Sequence, residues 1–320
     1  MYKTIHCQRD FKTLVDFGQF NRDSYPPETL IIADAILGLD FPHLALDAPE
    51  SLKSWHGVGL ITDYLIQHQA HRSTQLIAIG GGALLDLVGF IASIYMRGLN
   101  WHAVPTTLLA MVDASVGGKT AINHNNIKNL FGSFYPPSSI LIDTSHLANQ
   151  NLSGGKAEVI KMLWTSSDDL TLPPDLDDLV KLAITLKLKI IDHDWTEATG
   201  NRATLNAGHT FGHAFERLDP SLSHGQAIAY GLLAEHDLAE FLTHKNHNRQ
   251  ILEKNLAQQG LQINYAYLLT DLDALIDLML KDKKATKTTL RSTVARSPGD
   301  SYRLTYTPDD VRRFALSQSL

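Results

Sequence analysis

Leu76-Ile-Ala-Ile-Gly-Gly-Gly-Ala-Leu-Leu-Asp86 is the stretch that decides the fold of the first half of the chain. Its apolar start is typical of a buried strand, its three glycines predict a tight turn, and the residues from Ala83 to Ala92 predict a buried helix. Such a turn lets backbone N–H groups approach a pyrophosphate at the positive end of the helix dipole. The spacing is not that of Gly-x-Gly-x-x-Gly, so a close-packed corner between strand and helix stays an alternative.

The same apolar stretch, extended to Met96, is about long enough to cross a bilayer. The glycines and Asp86 interrupt it, and a charge near the bilayer centre costs about 2.5–3.5 kcal/mol. The amino terminus lacks the basic start and the apolar segment of a signal peptide. We therefore expect no membrane association and a cytoplasmic location.

Short apolar runs alternate with helical stretches on both sides of this segment. They predict further strands at Thr29–Ala33, Trp101–Val104 and Ser139–Ile142. Alternation of this kind indicates parallel strands joined by crossover helices. We expect residues 1–147 to form a Rossmann-like α/β domain.

The pattern changes after Leu147, where longer amphipathic stretches replace the short runs. Their periodicity predicts helices at Lys156–Trp164, Asp177–Ile191, Thr210–Leu218, Gly225–Leu242, Ile251–Gln259 and Asp271–Leu280. Residues 148–320 are therefore predicted to form an all-helical domain.

Composition limits the classes of function. The 320 residues include 28 Lys and Arg against 34 Asp and Glu, a net charge of −6, and 44% of them are hydrophobic. This is a globular composition, and it lacks the concentrated positive charge that nucleic-acid binding needs. We expect a small-molecule substrate and no nucleic acid. Cys7 is the only cysteine, so no intrachain disulfide can form, which fits a reducing compartment.

Polar residues follow the predicted strand that ends at Val104. Thr106 and Thr107 come soon after it, and Asp113-Ala-Ser-Val-Gly-Gly-Lys119 begins about a turn later. Adjacent hydroxyls, a carboxylate and a lysine set by glycines suit the surroundings of a ribose and a phosphate.

The predicted helical domain contains candidate metal ligands. His209 and His213 are four residues apart and share one helical face. The general base of a His-Glu-x-x-His zinc protease is missing, and two hydrogen-bonded histidines stay an alternative. Glu158 and His224 are the natural further ligands, because one Glu with two His leaves an open position on a catalytic Zn²⁺. Lys161 shares the helical face of Glu158.

Blocks of sequence between Pro49 and Lys284 resemble the 3-dehydroquinate synthase family. They occur in the family's order: Gly80-Gly-Gly-Ala-Leu-Leu-Asp86, Tyr95-Met-Arg-Gly98, Val104-Pro-Thr-Thr-Leu-Leu109, Val112-Asp-Ala-Ser-Val-Gly-Gly-Lys-Thr120, Lys128-Asn129, Leu141-Ile-Asp-Thr144, Ala157-Glu-Val-Ile-Lys161, Leu205-Asn-Ala-Gly-His-Thr-Phe-Gly-His213, His224-Gly225 and Asp282-Lys-Lys284. The resemblance implies conversion of 3-deoxy-D-arabino-heptulosonate 7-phosphate to 3-dehydroquinate and phosphate, a lyase reaction of the shikimate pathway that leads to chorismate and the aromatic amino acids. It implies that bound NAD oxidises the C5 hydroxyl transiently, that phosphate is eliminated, and that reduction and an intramolecular aldol step follow.

The resemblance also implies roles for individual residues. The metal, Zn²⁺ or Co²⁺, would be held by Glu158, His209 and His224. The catalytic and substrate-binding positions would be Lys161, His213, Lys119, Asn206, Arg202, Lys128, Asn129, Asp113, Lys284 and Lys187, with Lys189 as the alternative to Lys187. The NAD-binding positions would be Glu50, Lys53, Gly81, Gly82, Asp86, Thr106, Thr107, Asp113, Lys119, Lys128 and Thr144. Arg97 matches an arginine that reaches the neighbouring subunit's site, which implies a homodimer.

The sequence departs from the family's pattern at several positions, among them Met162-Leu163, which replaces the usual Tyr-Gly after Lys161. Ile127 stands where glycine is usual, and Gln226 replaces a common Glu after His-Gly. Because β-branched Ile127 does not easily take a positive φ, we expect a differently shaped substrate loop. Three alternatives stay open: a related cyclase that makes valiolone-type or inosose-type rings, a metal-dependent polyol dehydrogenase, and a paralogue that binds without turnover.

Overall fold

The computed structural model describes residues 3–6, 12–125, 127–192, 194–197, 200–281 and 288–318. The chain divides into two compact units, Met1–Gln150 with Asp175–Leu188 and Asn151–Pro174 with Lys189–Leu320. The sequence predicted domain limits of 1–147 and 148–320. These limits describe the chain differently from the two compact units, and they stay a prediction.

The regular elements follow one another in an order typical of an α/β half and a helical half. In chain order they are β1 (Lys3–His6), β2 (Lys12–Phe17), β3 (Leu30–Asp34), β4 (Leu44–Leu46), α1 (Trp55–Gln67), β5 (Gln75–Gly80), α2 (Gly82–Ile94), β6 (Asn100–Pro105), β7 (Lys119–His124), β8 (Ile127–Phe134), β9 (Ser139–Ile142), α3 (Ser153–Ser166), α4 (Leu176–Ile191), α5 (His209–Leu218), α6 (His224–Thr243), α7 (Arg249–Gln258), α8 (Leu272–Leu280), β10 (Leu290–Ala295), β11 (Ser301–Tyr306) and α9 (Pro308–Ser317).

A seven-stranded sheet of order β1-β2-β9-β6-β5-β3-β4 forms the centre of the first unit. β1 and β2 are antiparallel, and the other neighbours are parallel. The predicted α/β class is confirmed, with β3, β5, β6 and β9 at the predicted strands. Leu76, Ile77 and Ala78 of β5 are completely buried, as expected for a central parallel strand. β7 and β8 pair with each other in a separate antiparallel hairpin.

The second unit is mainly helical. The six predicted helices correspond to α3 through α8, and all of these except most of α4 belong to the second unit. Its core surrounds Trp164, Phe211 and Phe215. It also contains the antiparallel hairpin β10–β11, which the prediction of an all-helical domain omits. Within the described residues, no helix combines the length and the apolar character that spanning a membrane requires.

Candidate active site

One group of metal-ligating side chains converges in the second unit. Glu158 of α3 and the first residues of α5 and α6, His209 and His224, each offer a ligand atom within 4.8 Å of the other two. In the part of the chain that the structure describes, this is the one such group of three or more His, Cys, Asp or Glu. One carboxylate and two imidazoles are a donor set that fits Zn²⁺ or Co²⁺.

A close approach of two helices places Glu158 beside His224. Gly225 follows His224 in α6, and a Cβ added to Gly225 would lie 2.1 Å from the Cα of Gly154 in α3. Any larger residue at 225 would force α3 and α6 apart and would separate the two ligands.

His209 is held as a neutral imidazole. Burial, followed by the nearby charge of Lys161, lowers the pKa of His209 well below its ordinary value. Its Nδ1 lies 3.1 Å from the carbonyl oxygen of Ala207. A carbonyl oxygen can only accept, so Nδ1 carries the hydrogen and Nε2 presents the lone pair that a metal needs.

His224 lies between two carboxylates. Its Nε2 is 3.7 Å from Glu158 Oε1, and its Nδ1 is 3.6 Å from Glu216 Oε2. Burial opposes protonation of His224, but the two carboxylates outweigh it and raise the pKa of the ring to about 9. A divalent cation at Nε2 would take the place of that proton, and Glu216 would then orient the ring from Nδ1.

Lys161 and His213 lie next to the metal-ligand group. Lys161 Nζ forms an ion pair with Glu158 Oε2, and both side chains are almost completely buried. His213 is exposed, and its ring centre lies 5.0 Å from that of His209. His213 is not part of the converging ligand group.

The remaining predicted substrate residues are placed as follows. Arg202 is buried, and its Nη1 donates to the carbonyl oxygen of Trp195 over 2.5 Å. Asn206 is half-buried just before α5, whereas Arg97 is exposed. Lys284 lies outside the described residues.

The predicted glycine turn lies at the carboxyl edge of the sheet. Gly80 ends β5 and pairs in register with Pro105 of β6, and Thr106 N–H donates to Gly80 O over 3.0 Å. A Cβ added to Gly81 would lie 3.6 Å from Thr107 Cγ2, so the turn and the threonines adjoin. Gly81 gives α2 no side-chain cap, so N–H groups at the start of α2 are available to a phosphate.

Three residues predicted for the NAD site form one network. Lys53 Nζ lies 2.5 Å from Asp86 Oδ2 and 3.8 Å from Glu50 Oε1. Burial raises the pKa of Asp86 to about 6, although the charge of Lys53 opposes the shift. Asn123 Nδ2 donates to Glu50 Oε1 over 2.8 Å, which ties the network to β7.

A second ion pair joins α4 to the segment before β7. Lys187 is buried and donates to both the carbonyl oxygen and Oδ1 of Asp113, each over 2.5 Å. Lys189, the alternative substrate lysine, is exposed. Thr144, which follows β9, donates to Asp177 Oδ1 over 2.7 Å.

The hairpin β7–β8 carries the other predicted cations on its surface. Lys119 and Lys128 are exposed. Asn125 and Asn129 adopt positive φ angles, of 48° and 53°, whereas Ile127 does not. The left-handed conformations are therefore taken by asparagines, which tolerate them, and Ile127 begins β8 as an extended residue.

The departure at Gln226 has a local structural reason. Gln226 Nε2 donates to the carbonyl oxygen of Gln262 over 2.8 Å, and its Oε1 accepts from the N–H of Gln262 over 2.9 Å. A glutamate accepts but does not donate, so it could make only one of these two bonds.

Two acidic residues of the site were missed by the sequence analysis. Glu216 lies seven residues after His209, two helical turns along the same face of α5. Glu235 is completely buried in α6, and burial raises its pKa to about 8 although three backbone N–H groups oppose the shift. The residues from Glu235 to Asp237 interrupt the otherwise apolar stretch from Ala227 to Ala239, and this interruption is the signal that could have found Glu235.

The sequence matches known proteins over most of its length. Family models for the N-terminal and C-terminal parts of 3-dehydroquinate synthase match residues 43–154 and 155–285. The chain is 40% identical to the 3-dehydroquinate synthase of Legionella pneumophila, with 94% of this chain and 89% of that protein covered. It is 33% identical to the 3-dehydroquinate synthase of Helicobacter pylori, with 91% of each covered.

Solved structures share the fold. A 2-deoxy-scyllo-inosose synthase complexed with carbaglucose-6-phosphate, NAD⁺ and Co²⁺ has a TM-score of 0.86 at 22% identity, with 99% of each chain covered. A 2-epi-5-epi-valiolone synthase from Streptomyces hygroscopicus with NAD⁺ and Zn²⁺ has a TM-score of 0.78 at 23% identity, with 98% of each chain covered. A glycerol dehydrogenase from Sinorhizobium meliloti is less similar, with a TM-score of 0.56 at 14% identity.

Proposed function

The chain belongs to the 3-dehydroquinate synthase family, and from this premise we propose that it converts 3-deoxy-D-arabino-heptulosonate 7-phosphate to 3-dehydroquinate and phosphate. The observation that supports this most directly is the convergence of Glu158, His209 and His224 in one group. Phosphate leaves without addition of water, which makes the reaction that of a phosphorus–oxygen lyase. The single cysteine supports a cytoplasmic location.

We propose NAD and Zn²⁺ or Co²⁺ as the cofactors. When bound, NAD supplies the acceptor, and later the donor, of the hydride at C5, and the metal supplies a Lewis acid at the C5 oxygen. Glu158, His209 and His224 would hold the metal. The carboxyl edge around Gly81, Thr106 and Thr107, with the network of Lys53 and Asp86, would hold NAD.

Residues of the chain would stabilise the charges that develop on the substrate. Oxidation at C5 acidifies the neighbouring C–H bond, so loss of its proton puts negative charge on the C5 oxygen as phosphate departs. The ammonium of Lys161 is nearly excluded from water, where a fixed charge acts most strongly on such a centre. The exposed ring of His213 can donate a hydrogen bond to the departing phosphate. Arg202 and Asn206 would bind the substrate's carboxylate side.

The test measures phosphate release from 3-deoxy-D-arabino-heptulosonate 7-phosphate in the presence of Zn²⁺. NAD⁺ is added in an amount far below that of the substrate. We expect many turnovers per NAD⁺, equal amounts of phosphate and 3-dehydroquinate, and no net NADH, because the hydride returns to the substrate. The 3-dehydroquinate is measured by coupling to its dehydratase, and protein stripped of metal by a chelator is the control.

Each other outcome of this test identifies a different function. Phosphate release from sedoheptulose 7-phosphate alone would identify a related sugar-phosphate cyclase. Net NADH production from a polyol would identify a dehydrogenase. Binding of NAD and metal without turnover of any of these compounds would identify a non-catalytic paralogue.

We also propose that the protein is a homodimer in which Arg97 serves the neighbouring site. Met96 and Arg97 both have positive φ angles, of 47° and 71°, a strained conformation that is common at functional sites. The edge strand β8 exposes Leu130, Phe131 and Phe134, each 37–41% accessible, and an edge with apolar side chains invites pairing with a second copy.

Mixed dimers test the contribution of Arg97. The variants Arg97→Ala and His209→Ala are each expected to be inactive alone. After subunit exchange, half of the dimers are mixed and one of their two sites is intact, so about one quarter of the original activity should return. No recovery, or a monomer by analytical ultracentrifugation, would contradict the proposal.

A further inference from the structure

Helix α6 contains a carboxylate that no step of the proposed reaction uses. Glu235 is completely buried. Its Oε2 accepts from the N–H of Gly208 over 2.7 Å, and its Oε1 accepts from the N–H of Thr210 over 3.1 Å. The N–H of Phe211 and the hydroxyl of Ser292 also donate to it. With four donors the buried carboxylate has its hydrogen-bonding capacity filled, which indicates a structural role in the fold.

The backbone donors all lie at the start of α5, on both sides of His209. The first N–H groups of a helix have no intrahelical partner and are usually bonded by an N-cap side chain. The N-cap of α5 is Gly208, which has no side chain to donate or accept. Glu235 therefore caps α5 from a neighbouring helix, and its negative charge suits the positive end of the helix dipole.

A close crossing of α5 and α6 reinforces this cap. Gly231 lies four residues before Glu235, one turn back along α6. A Cβ added to Gly231 would lie 1.9 Å from the carbonyl oxygen of Gly208, so only glycine fits there. Because α6 begins with His224, the site at which α5 is fixed to α6 sets the separation of the two imidazole ligands.

We propose that Glu235 is a positioning residue for the metal site, which holds the backbone of residues 208–211 so that His209 meets Glu158 and His224. This rests on the metal assignment of the proposed function. The bond from His209 Nδ1 to Ala207 O belongs to the same segment, so placing this backbone sets both the position of the ring and the nitrogen that faces the metal. Glu235 acts through His209 and does not touch the metal itself.

The test compares two glutamines on one helix. In Glu235→Gln, an amide N–H₂ replaces one carboxylate oxygen and faces a backbone N–H, so one buried bond is lost without a change in shape. Glu240→Gln is the matched control, because Glu240 is also on α6 and accepts a backbone N–H, from His247 over 2.7 Å. Metal binding is measured with Co²⁺, by its visible absorption and by competition with a chelator.

We expect Glu235→Gln to weaken Co²⁺ binding by about 10- to 100-fold and to change the absorption spectrum, as loss of a supporting group typically does. Glu240→Gln should leave both unchanged. Ser292→Ala removes one donor to Glu235, together with the 2.8 Å hydrogen bond between Ser292 Oγ and the hydroxyl of Tyr306. It should shift the affinity in the same direction and serves if Glu235→Gln does not fold.

Two results would overturn the proposal. One is equal Co²⁺ affinity in Glu235→Gln and in the unaltered protein, and the other is an equal loss of Co²⁺ affinity in Glu240→Gln, which would indicate a general structural role. Failure of the unaltered protein to bind Co²⁺ would instead overturn the proposed function, and this inference with it.

Discussion

Replacing His209 with alanine is expected to remove the metal and the activity together. The ring supplies one of three converging ligand atoms, and its Nδ1 bond to Ala207 directs Nε2 to the other two. Two remaining ligands cannot retain a catalytic metal, which needs three from the protein. Turnover should fall by more than the roughly 10²–10³-fold that loss of one transition-state hydrogen bond costs. The measurements are metal content after dialysis and phosphate release.

His213→Ala is the matched control, since it removes an imidazole one turn further along the same helix. The ring of His213 is exposed and lies outside the ligand group, although its centre is 5.0 Å from that of His209. The metal should stay bound, while turnover falls by roughly 10²–10³-fold, the usual cost of losing one hydrogen bond to a group that gains negative charge in the reaction. Metal retained in His209→Ala, or lost in His213→Ala, would show that the ligand assignment is wrong.

The sequence predicted the parallel strands well because they are buried on both faces. Residues such as Leu76 and Ile77 form uninterrupted apolar runs, and these stand out without any knowledge of neighbours. The hairpin β10–β11 gave no such signal, because Arg291, Ser292 and Thr293 break its apolar pattern. Its stability depends on packing against the helices of the second unit, and pattern alone does not show that.

The candidate site was predicted as far as chemistry is visible in residue types. Glu158, His209 and His224 were proposed as ligands because of their donor atoms and their positions in the family's blocks, and the structure brings them together. Glu216 and Glu235 were missed because their importance lies in which backbone or ring atoms they face. Such partners come from different helices, so their contacts depend on how the helices cross.

The pairing of Lys53 with Asp86 is a further contact that the sequence did not reveal. Both residues were predicted to bind NAD, Lys53 on the adenosine side and Asp86 at the pyrophosphate, and no sequence spacing links positions 53 and 86. The structure shows that they form an ion pair in which Lys53 is buried and Asp86 is half-buried. A charge that is buried in this way must be paired, so each residue also holds the other in place.

Replacing Lys161 with methionine is expected to reduce turnover by roughly 10²–10³-fold while the metal stays bound. The ammonium lies beside the ligand Glu158 in surroundings almost free of water, with only 2% of the side chain exposed. It therefore offers a fixed positive charge where the reaction develops negative charge. Removing it also removes repulsion between the ammonium and a divalent cation, so metal affinity should not fall. The affinity for NAD should be nearly unchanged.

The same change gives a second measurable result in the metal-free protein. Without Lys161, the buried carboxylate of Glu158 loses the closer of two cationic partners and keeps protonated His224, whose Nε2 lies 3.7 Å from Oε1. Breaking a buried pair costs up to about 3–5 kcal/mol. Added Zn²⁺ supplies a new partner, and a ligand that binds only the folded state raises stability. The Tm of the protein with added Zn²⁺ exceeds the Tm of the protein in chelator, and this difference should thus be larger in Lys161→Met than in the unaltered protein.

Lys156→Met is the control for both results, because it makes the same substitution on the same helix, α3. It should leave turnover, metal content and the Zn²⁺-dependent increase in Tm unchanged. Loss of metal from Lys161→Met would mean that the lysine supports the ligand set. An increase in Tm equal to that of the unaltered protein would mean that Glu158 keeps its stabilisation from other groups. If turnover falls while the metal stays bound, the lysine contributes its charge to the reaction. If the Zn²⁺-dependent increase in Tm is also larger, Glu158 depends on a cation whether or not the metal is bound.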